Sequence, residues 1–216
     1  MTSQGIRNHC VARRPRKSQG DCGSTSSLDC QPDSVERLDS YSAIVEHYRE
    51  CVFPDIAADM AFYGDRRKTP AETVEIACRS IGPDGRLHSH QHRLGYLRME
   101  QAADFLTPHS EALMAATNFT ELHQRVSVLG GAGLRIGDLA IYDIAQRIGW
   151  YRGLAPEEIY LHRGTLDGDL ALDPSATGKT LSPDNLPDEF RQLAPFQLED
   201  VLCIYKAQIR RIAGRA

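Results

Sequence analysis

Apolar residues recur every three to four positions through most of the chain beyond residue 40, which is the spacing of an amphipathic helix. The first such stripe consists of Tyr41, Ile44, Val45, Tyr48 and Val52. Pro54 then opens a new turn that carries Ile56 and Met60, because proline is tolerated at the start of a helix but not in its interior. The pattern therefore predicts a broken pair of helices at the beginning of the ordered chain.

The clearest helix start lies at Thr69. Thr69 and Glu72 have the spacing of a capping box, and Pro70 occupies the first helical position. The buried stripe that follows is predicted to be Val74, Cys78 and Ile81. Gly82 is predicted to stop this helix.

Further helices are predicted over residues 99–106, 110–116, 119–129 and 195–212. Two stretches that are dense in turn-forming and polar residues are predicted to be loops instead. They are a turn and loop over 82–93 and an excursion with little regular structure over 163–188. Alternating apolar and polar positions never persist together with β-branched residues, so the predicted fold class is all-α.

The N-terminal stretch differs from the rest of the chain. Residues 1–37 are rich in Ser, Gly, Gln, Asp and Arg and have almost no periodic apolar positions. Such a segment cannot offset the entropy that it loses on ordering, so we predict a disordered arm. Residues 38–216 are then expected to form one compact helical domain.

Composition bears on the size of the core and on whether the protein is expected in a membrane or outside the cell. The chain has 216 residues, 41% of them hydrophobic, which is enough for one ordinary core or for two small lobes that share a core. Its longest apolar runs stop at about five residues, far short of the roughly twenty that cross a bilayer. The basic N-terminus also lacks the apolar stretch of a secretory signal. We therefore expect a cytoplasmic protein with no membrane partner.

The cysteines and the charge add two further expectations. Three cysteines lie in the polar arm and three in apolar helical patterns: Cys10, Cys22 and Cys30, then Cys51, Cys78 and Cys203. No CxxC pair occurs, so reduced thiols are expected and a zinc site is not. The formal net charge of -4 argues weakly against a non-specific phosphate binder, so any DNA contact has to be local.

The most informative segment covers residues 126–149, with the sequence VSVLGGAGLRIGDLAIYDIAQRIG, and predicts two apolar helices joined by a glycine-rich turn. It resembles a helix-hairpin-helix motif, in which amides at the start of the second helix face a DNA phosphate. The resemblance implies that Ile136 anchors the turn and that Gly137 admits the phosphate, with Gly133 in the same hairpin. Arg135 replaces the first glycine of the motif. It either adds a phosphate contact, or the segment is an ordinary joint between helices.

A wider resemblance points to the helix-hairpin-helix DNA glycosylase superfamily, in which the second helix leads into an apolar, Asp, apolar, His stretch. The residues at about the matching distance are Ile159, Tyr160, Leu161 and His162. Tyr160 stands at the place of the family's catalytic Asp, and Leu139 at that of the nucleophilic Lys of bifunctional members. The resemblance therefore supports DNA association better than base excision.

Weak catalytic candidates remain near this stretch, namely Tyr160 and Glu158. Glu157 and Glu158 are explained equally well as the first turn of a short helix whose dipole they complement. The family position implies that His162 donates to a phosphate at a helix end, with Arg163 beside it. A partly exposed structural histidine is the alternative.

The first predicted loop carries three histidines that alternate along the chain: His88, His90 and His92. An extended backbone would project them to one side, but the loop setting and the absence of nearby carboxylates other than Asp84 argue against a metal site. Three arginines make the same region basic: Arg86, Arg93 and Arg98. Phosphate contact is the functional interpretation of this loop, and a solvated loop is the simpler one.

Signatures of common enzymes are missing. Residues 178–180 have the GKT ending of a phosphate-binding loop, but Asp173 occupies the place of its earlier glycine, so no nucleotide cofactor is expected. No serine lies in a GxSxG context.

Three functions remain open at this point. The first is a DNA-associating protein that contacts phosphates without glycosylase chemistry, and the second is a glycosylase-like enzyme that acts on a nucleobase. The third is a structural helical protein or one that binds a protein partner. A basic face around Arg135 favours the first, a deep pocket with a buried carboxylate the second, and an exposed apolar patch the third.

Overall fold

The computed structural model describes residues 30, 35–134 and 136–214. This part of the chain is mostly helical, which confirms the predicted fold class, and its sheet consists of two strands of two residues each. None of the described helices is long and apolar enough to cross a membrane. The predicted disordered arm falls mainly on residues 1–29 and 31–34, which lie outside the described residues.

In chain order the α-helices are α1 (Tyr41–His47), α2 (Phe53–Tyr63), α3 (Pro70–Arg79), α4 (Gly95–Leu106), α5 (Ser110–Met114), α6 (Phe119–Leu134), α7 (Asp138–Arg152), α8 (Arg163–Leu172), α9 (Pro195–Ile204) and α10 (Lys206–Ile212). The antiparallel strands are β1 (Ile159–Tyr160) and β2 (Thr180–Leu181). A π-helical segment, Tyr48–Val52, joins α1 to α2. At the predicted break before Pro54 the chain changes from α-helix to π-helix and back to α-helix. Proline has no backbone N–H to donate to the hydrogen bonds of a continuous α-helix.

The chain divides into two compact units, where the sequence analysis expects a single domain over 38–216. One unit combines the segment up to Phe53 with the segment from Ile159 onward, and the other runs from Pro54 to Glu158. The first unit is therefore assembled from two segments that are far apart in the sequence.

The first unit has its core between α1, α8, α9 and α10. The buried side chains at its centre include Ile44, Tyr48, Phe190, Leu198 and Ile209. The apolar spacing in the helix predicted over 195–212 puts Leu198, Leu202, Tyr205 and Ile209 on one face, and all four are buried. The helix is interrupted at Tyr205, which separates α9 from α10.

The excursion predicted over 163–188 is wrong in its first part, which forms helix α8. A side chain at Gly168 would collide with the backbone of Leu202, so glycine allows α8 and α9 to approach closely. The glycine that suggested a loop is therefore a packing residue. The remainder of the stretch is irregular except for β2 and a short 3-10 turn at Pro183–Asn185.

The second unit packs α3 against α4 and α7, and α6 against α7. The capping box of α3 is confirmed, because the Thr69 side chain accepts from the Glu72 amide while Glu72 accepts from the Thr69 amide. This helix ends at Ser80 rather than at Gly82. Ser80 adopts the left-handed conformation, with φ of 54°, and Ile81 then pairs with Leu87 in an isolated β-bridge.

The prediction of reduced thiols is wrong for Cys30 and Cys51, which form a disulfide with their Cα atoms 5.4 Å apart. Cys203 is disulfide-bonded as well, whereas Cys78 is a buried free thiol. The sequence pattern separated a polar arm from the apolar helices, but it did not show that Cys30 of this arm lies against the π-helical segment that contains Cys51. Val35, in the same arm, packs against the core of this unit.

Candidate functional site

The predicted hairpin joins α6 to α7, but the helices are longer than the sequence suggested. The glycines at 130, 131 and 133 lie inside α6, which continues to Leu134. The turn is confined to residues 135–137, and Arg135 lies outside the described residues. Ile136 is buried, and a methyl group on Gly130 would lie only 3.1 Å from its Cδ1 atom. Ile136 thus anchors the turn where the sequence analysis placed an anchor.

Gly137 forms the N-cap of α7 and is exposed. Its φ of -80° and ψ of 171° are open to any residue, and a Cβ atom built there meets nothing within 4 Å. No side chain caps this helix start, so the amides of its first turn have no side-chain acceptor within the described chain. The site therefore has room and donors for an anionic oxygen. Asp138, exposed in the same turn, opposes an anion by its charge.

The basic loop is attached to both helices of the hairpin. Arg98, at the start of α4, donates from Nη1 to the carbonyl of Leu134 over 3.0 Å, at the end of α6. Gln91 donates from Nε2 to Oδ2 of Asp143 in α7 over 2.7 Å. The fold thus brings the loop that carries Arg86 and Arg93, both exposed, to the hairpin helices.

A buried ion pair on α7 supports this attachment. Asp143 and Arg147 are 6% and 4% exposed, and Arg147 Nη2 lies 3.2 Å from Asp143 Oδ2. Arg147 also donates to Ser80 Oγ over 2.8 Å, at the end of α3. Burial by itself would raise the pKa of Asp143, but the charge of Arg147 and hydrogen bonds from His90 and Gln91 lower it well below its ordinary value. The carboxylate is therefore ionised and holds the loop to α7, while Arg147 holds α7 to the end of α3.

The three histidines do not share one side of the loop, because Ser89–Gln91 forms a 3-10 turn instead of extended chain. His88 Nε2 lies 3.5 Å from Asp59, and His90 Nδ1 lies 3.8 Å from Asp143. The expectation that no carboxylate other than Asp84 lies nearby is wrong, since distant parts of the chain supply two. Across the described ranges, no three His, Cys, Asp or Glu side chains are grouped closely enough to hold a metal ion.

His162 and Arg163 belong to the first unit rather than to the hairpin unit. His162 is the N-cap of α8, and its buried ring hydrogen-bonds Glu199 and Thr165. The ring is held by protein partners and is more buried than the partly exposed structural histidine given as the alternative. Arg163 is exposed, with its Nε atom 3.5 Å from Asp167.

The weak catalytic candidates Tyr160 and Glu158 differ in burial and in local structure. Tyr160 is half-buried in β1, opposite Thr180. Glu157 and Glu158 are exposed in a bend before β1, so the helical first turn predicted for them is wrong.

Four residues of this cluster were not predicted from the sequence, namely Asp59, Gln91, Asp143 and Arg147. The available indication was the four-residue spacing of Asp143 and Arg147 within the apolar pattern of α7, which puts both on one side of the helix. Their partners could not be found in this way, because Gln91 and Ser80 come from separate segments.

Comparison with known protein families, with curated proteins and with solved structures finds no match to this chain.

Proposed function

We propose that this protein binds DNA through phosphate contacts at the hairpin between α6 and α7, and that it does so without base excision. The observation that carries the proposal is the exposed, uncapped helix start at Gly137, anchored from beneath by Ile136. Backbone amides at such a position match a phosphate oxygen in geometry and in dipole direction. The absence of glycosylase chemistry follows from Tyr160 and Leu139 at the two positions that resemble catalytic ones.

Exposed arginines on the loop that is joined to α7 supply positive charge that the acidic chain as a whole lacks. Arg86 and Arg93 are exposed on the loop that Gln91 joins to α7, and Arg98 holds the start of α4 to the end of α6. Contacts of this kind position DNA without reading its sequence. We therefore expect affinity that depends strongly on salt and little on base sequence.

The test is a titration of labelled duplex and single-stranded DNA, followed by fluorescence anisotropy at low and moderate salt. Gly137→Ala and Gly137→Val should weaken binding in order of side-chain size, by about tenfold for valine, because the added group occupies the phosphate position. Both substitutions fit the backbone conformation at 137, so circular dichroism should show unchanged helical content.

Charge variants sharpen this test. Arg86→Ala and Arg93→Ala should each lower the dependence of affinity on salt by about one unit, whereas Arg210→Ala, on an exposed site of the other unit, should not. Asp138→Asn should strengthen binding by about threefold, since it removes a repelling carboxylate from the helix start. Wild-type protein that binds no DNA at low salt would refute the proposal, as would equal binding by the Gly137 variants.

A further inference from the structure

The first unit contains an open cleft of about 700 Å³, a volume typical of small-molecule sites. One wall is the last turn of α8, and the other is the irregular chain that follows it. Several contacts fix this chain. Leu161 donates its amide to the carbonyl of Lys179 over 2.8 Å, and Ser175 donates its amide and its hydroxyl to Asp173. Hydrogen bonds therefore fix the backbone of the segment that lines the cleft.

Asp169 is the unusual residue of this cleft. It lies on α8, is only 4% exposed and lines the cleft. Its carboxylate makes no hydrogen bond and no ion pair with any side chain or backbone group of the described residues. Burial, and then the charge of Asp173, raise its pKa. A carboxyl group that is mostly buried, faces the cleft and has no partner from the described chain is open to a donor group of a ligand.

The remaining lining determines what kind of ligand fits. Asp173 and Asp184 add two carboxylates to that of Asp169, and Arg191 is the cation among the lining residues. Arg191 lies 3.0 Å from Asp188, which offsets its charge. The cleft is thus acidic at several separated points. Its apolar lining includes the ring of Tyr41, a surface suited to methylene groups and to cations.

We propose that this cleft binds a linear polyamine, with one ammonium group on Asp169 and the others toward Asp173 and Asp184. A metal ion fits less well, because no three ligating side chains are grouped within the described part of the chain. An anionic ligand such as a nucleotide fits less well too, because the lining carries three carboxylates and the guanidinium of Arg191 is already engaged with Asp188 and the Asp184 carbonyl. The proposal is independent of DNA binding at the hairpin.

Isothermal titration of the full chain with spermidine tests the proposal directly. Saturable binding of one spermidine per chain is expected. Asp169→Asn should weaken it by about tenfold or more, because it keeps the shape of the side chain and removes the charge that accepts the ammonium group. Asp167→Asn is the matched control on the same helix, where Asp167 pairs with Arg163 outside the cleft, and it should change affinity by less than about twofold.

Asp184→Asn provides a second variant on the opposite wall, at an exposed position whose substitution leaves the core untouched. It should weaken spermidine binding by about threefold, and it decides the question if Asp169→Asn does not fold. The proposal is overturned if spermidine produces no saturable binding, or if Asp167→Asn weakens it as much as Asp169→Asn does. Tighter binding of magnesium ion or of a nucleoside in the same assay would overturn it as well.

Discussion

Asp143 and Arg147 form a buried ion pair one turn apart on α7, and the two residues reach two other segments of the second unit. Asp143 accepts from Gln91 of the basic loop, and Arg147 donates to Ser80 and to the carbonyl of Ala77 at the end of α3. The pair therefore joins a surface loop, a helix end and the second helix of the hairpin. An intact buried ion pair adds little net stability, because desolvation of the two charges offsets their attraction, but removing one partner leaves the other charge buried and unpaired.

Breaking this pair should destabilise the protein markedly. In Asp143→Asn the guanidinium of Arg147 stays buried without its counter-ion, and we expect a loss of about 3 kcal/mol in the free energy of unfolding by urea. Glu75→Gln is the matched control, because Glu75 pairs with Arg79 at the same spacing on the surface of α3. It should cost less than about 1 kcal/mol. Equal losses in the two variants would contradict the role assigned to burial.

Stability should also decrease in acid because of Asp143. Its pKa is lower in the folded protein than in the unfolded chain, so the folded state gains stability at pH values above about 4, the unfolded-state pKa. This contribution is lost progressively as the pH falls from there toward the folded-state pKa. Urea unfolding over a range of pH should show this decline in the wild type. The decline should be shallower in Asp143→Asn, and an unchanged slope would argue against an ionised Asp143.

Helix α8 should depend on glycine at position 168. Gly168→Ala places a methyl group against the backbone of Leu202, so α8 and α9 must separate, and we expect a loss of about 2 kcal/mol or more. Gly137→Ala, where the added methyl group meets nothing, should change stability by less than about 1 kcal/mol. Thermal unfolding followed by circular dichroism compares the two. A mild effect at 168 would mean that the two helices are not in close contact.

The disulfide between Cys30 and Cys51 should stabilise the first unit. It closes a loop with a sequence separation of 21 residues, for which a contribution of about 3 kcal/mol is typical. Cys30→Ser should therefore lower the melting temperature under oxidising conditions. In a reducing buffer, wild type and variant should melt together, which serves as the internal control. A variant that melts with the oxidised wild type would show that this bridge does not form in solution.

The local parts of the fold could be predicted from the sequence because their causes are local. The capping box at Thr69 and Glu72, the apolar stripe on the last helices and the anchor at Ile136 depend on residues within a few positions of each other. Helical spacing alone therefore predicted the fold class, whereas the place of the turn came from the helix-hairpin-helix resemblance and was confirmed only over residues 136–137.

Tertiary structure decided the features that depend on distant segments. Gly168 suggests a loop until Leu202 is placed against it, and the composition around Cys30 predicts a free arm until Cys51 is brought within reach. Asp143 and Asp169 are ordinary acids in the sequence. They differ because α7 supplies one with Arg147, whereas α8 buries the other at a cleft without a partner. Burial and pairing set the behaviour of a carboxyl group, and both arise only when remote parts of the chain pack together.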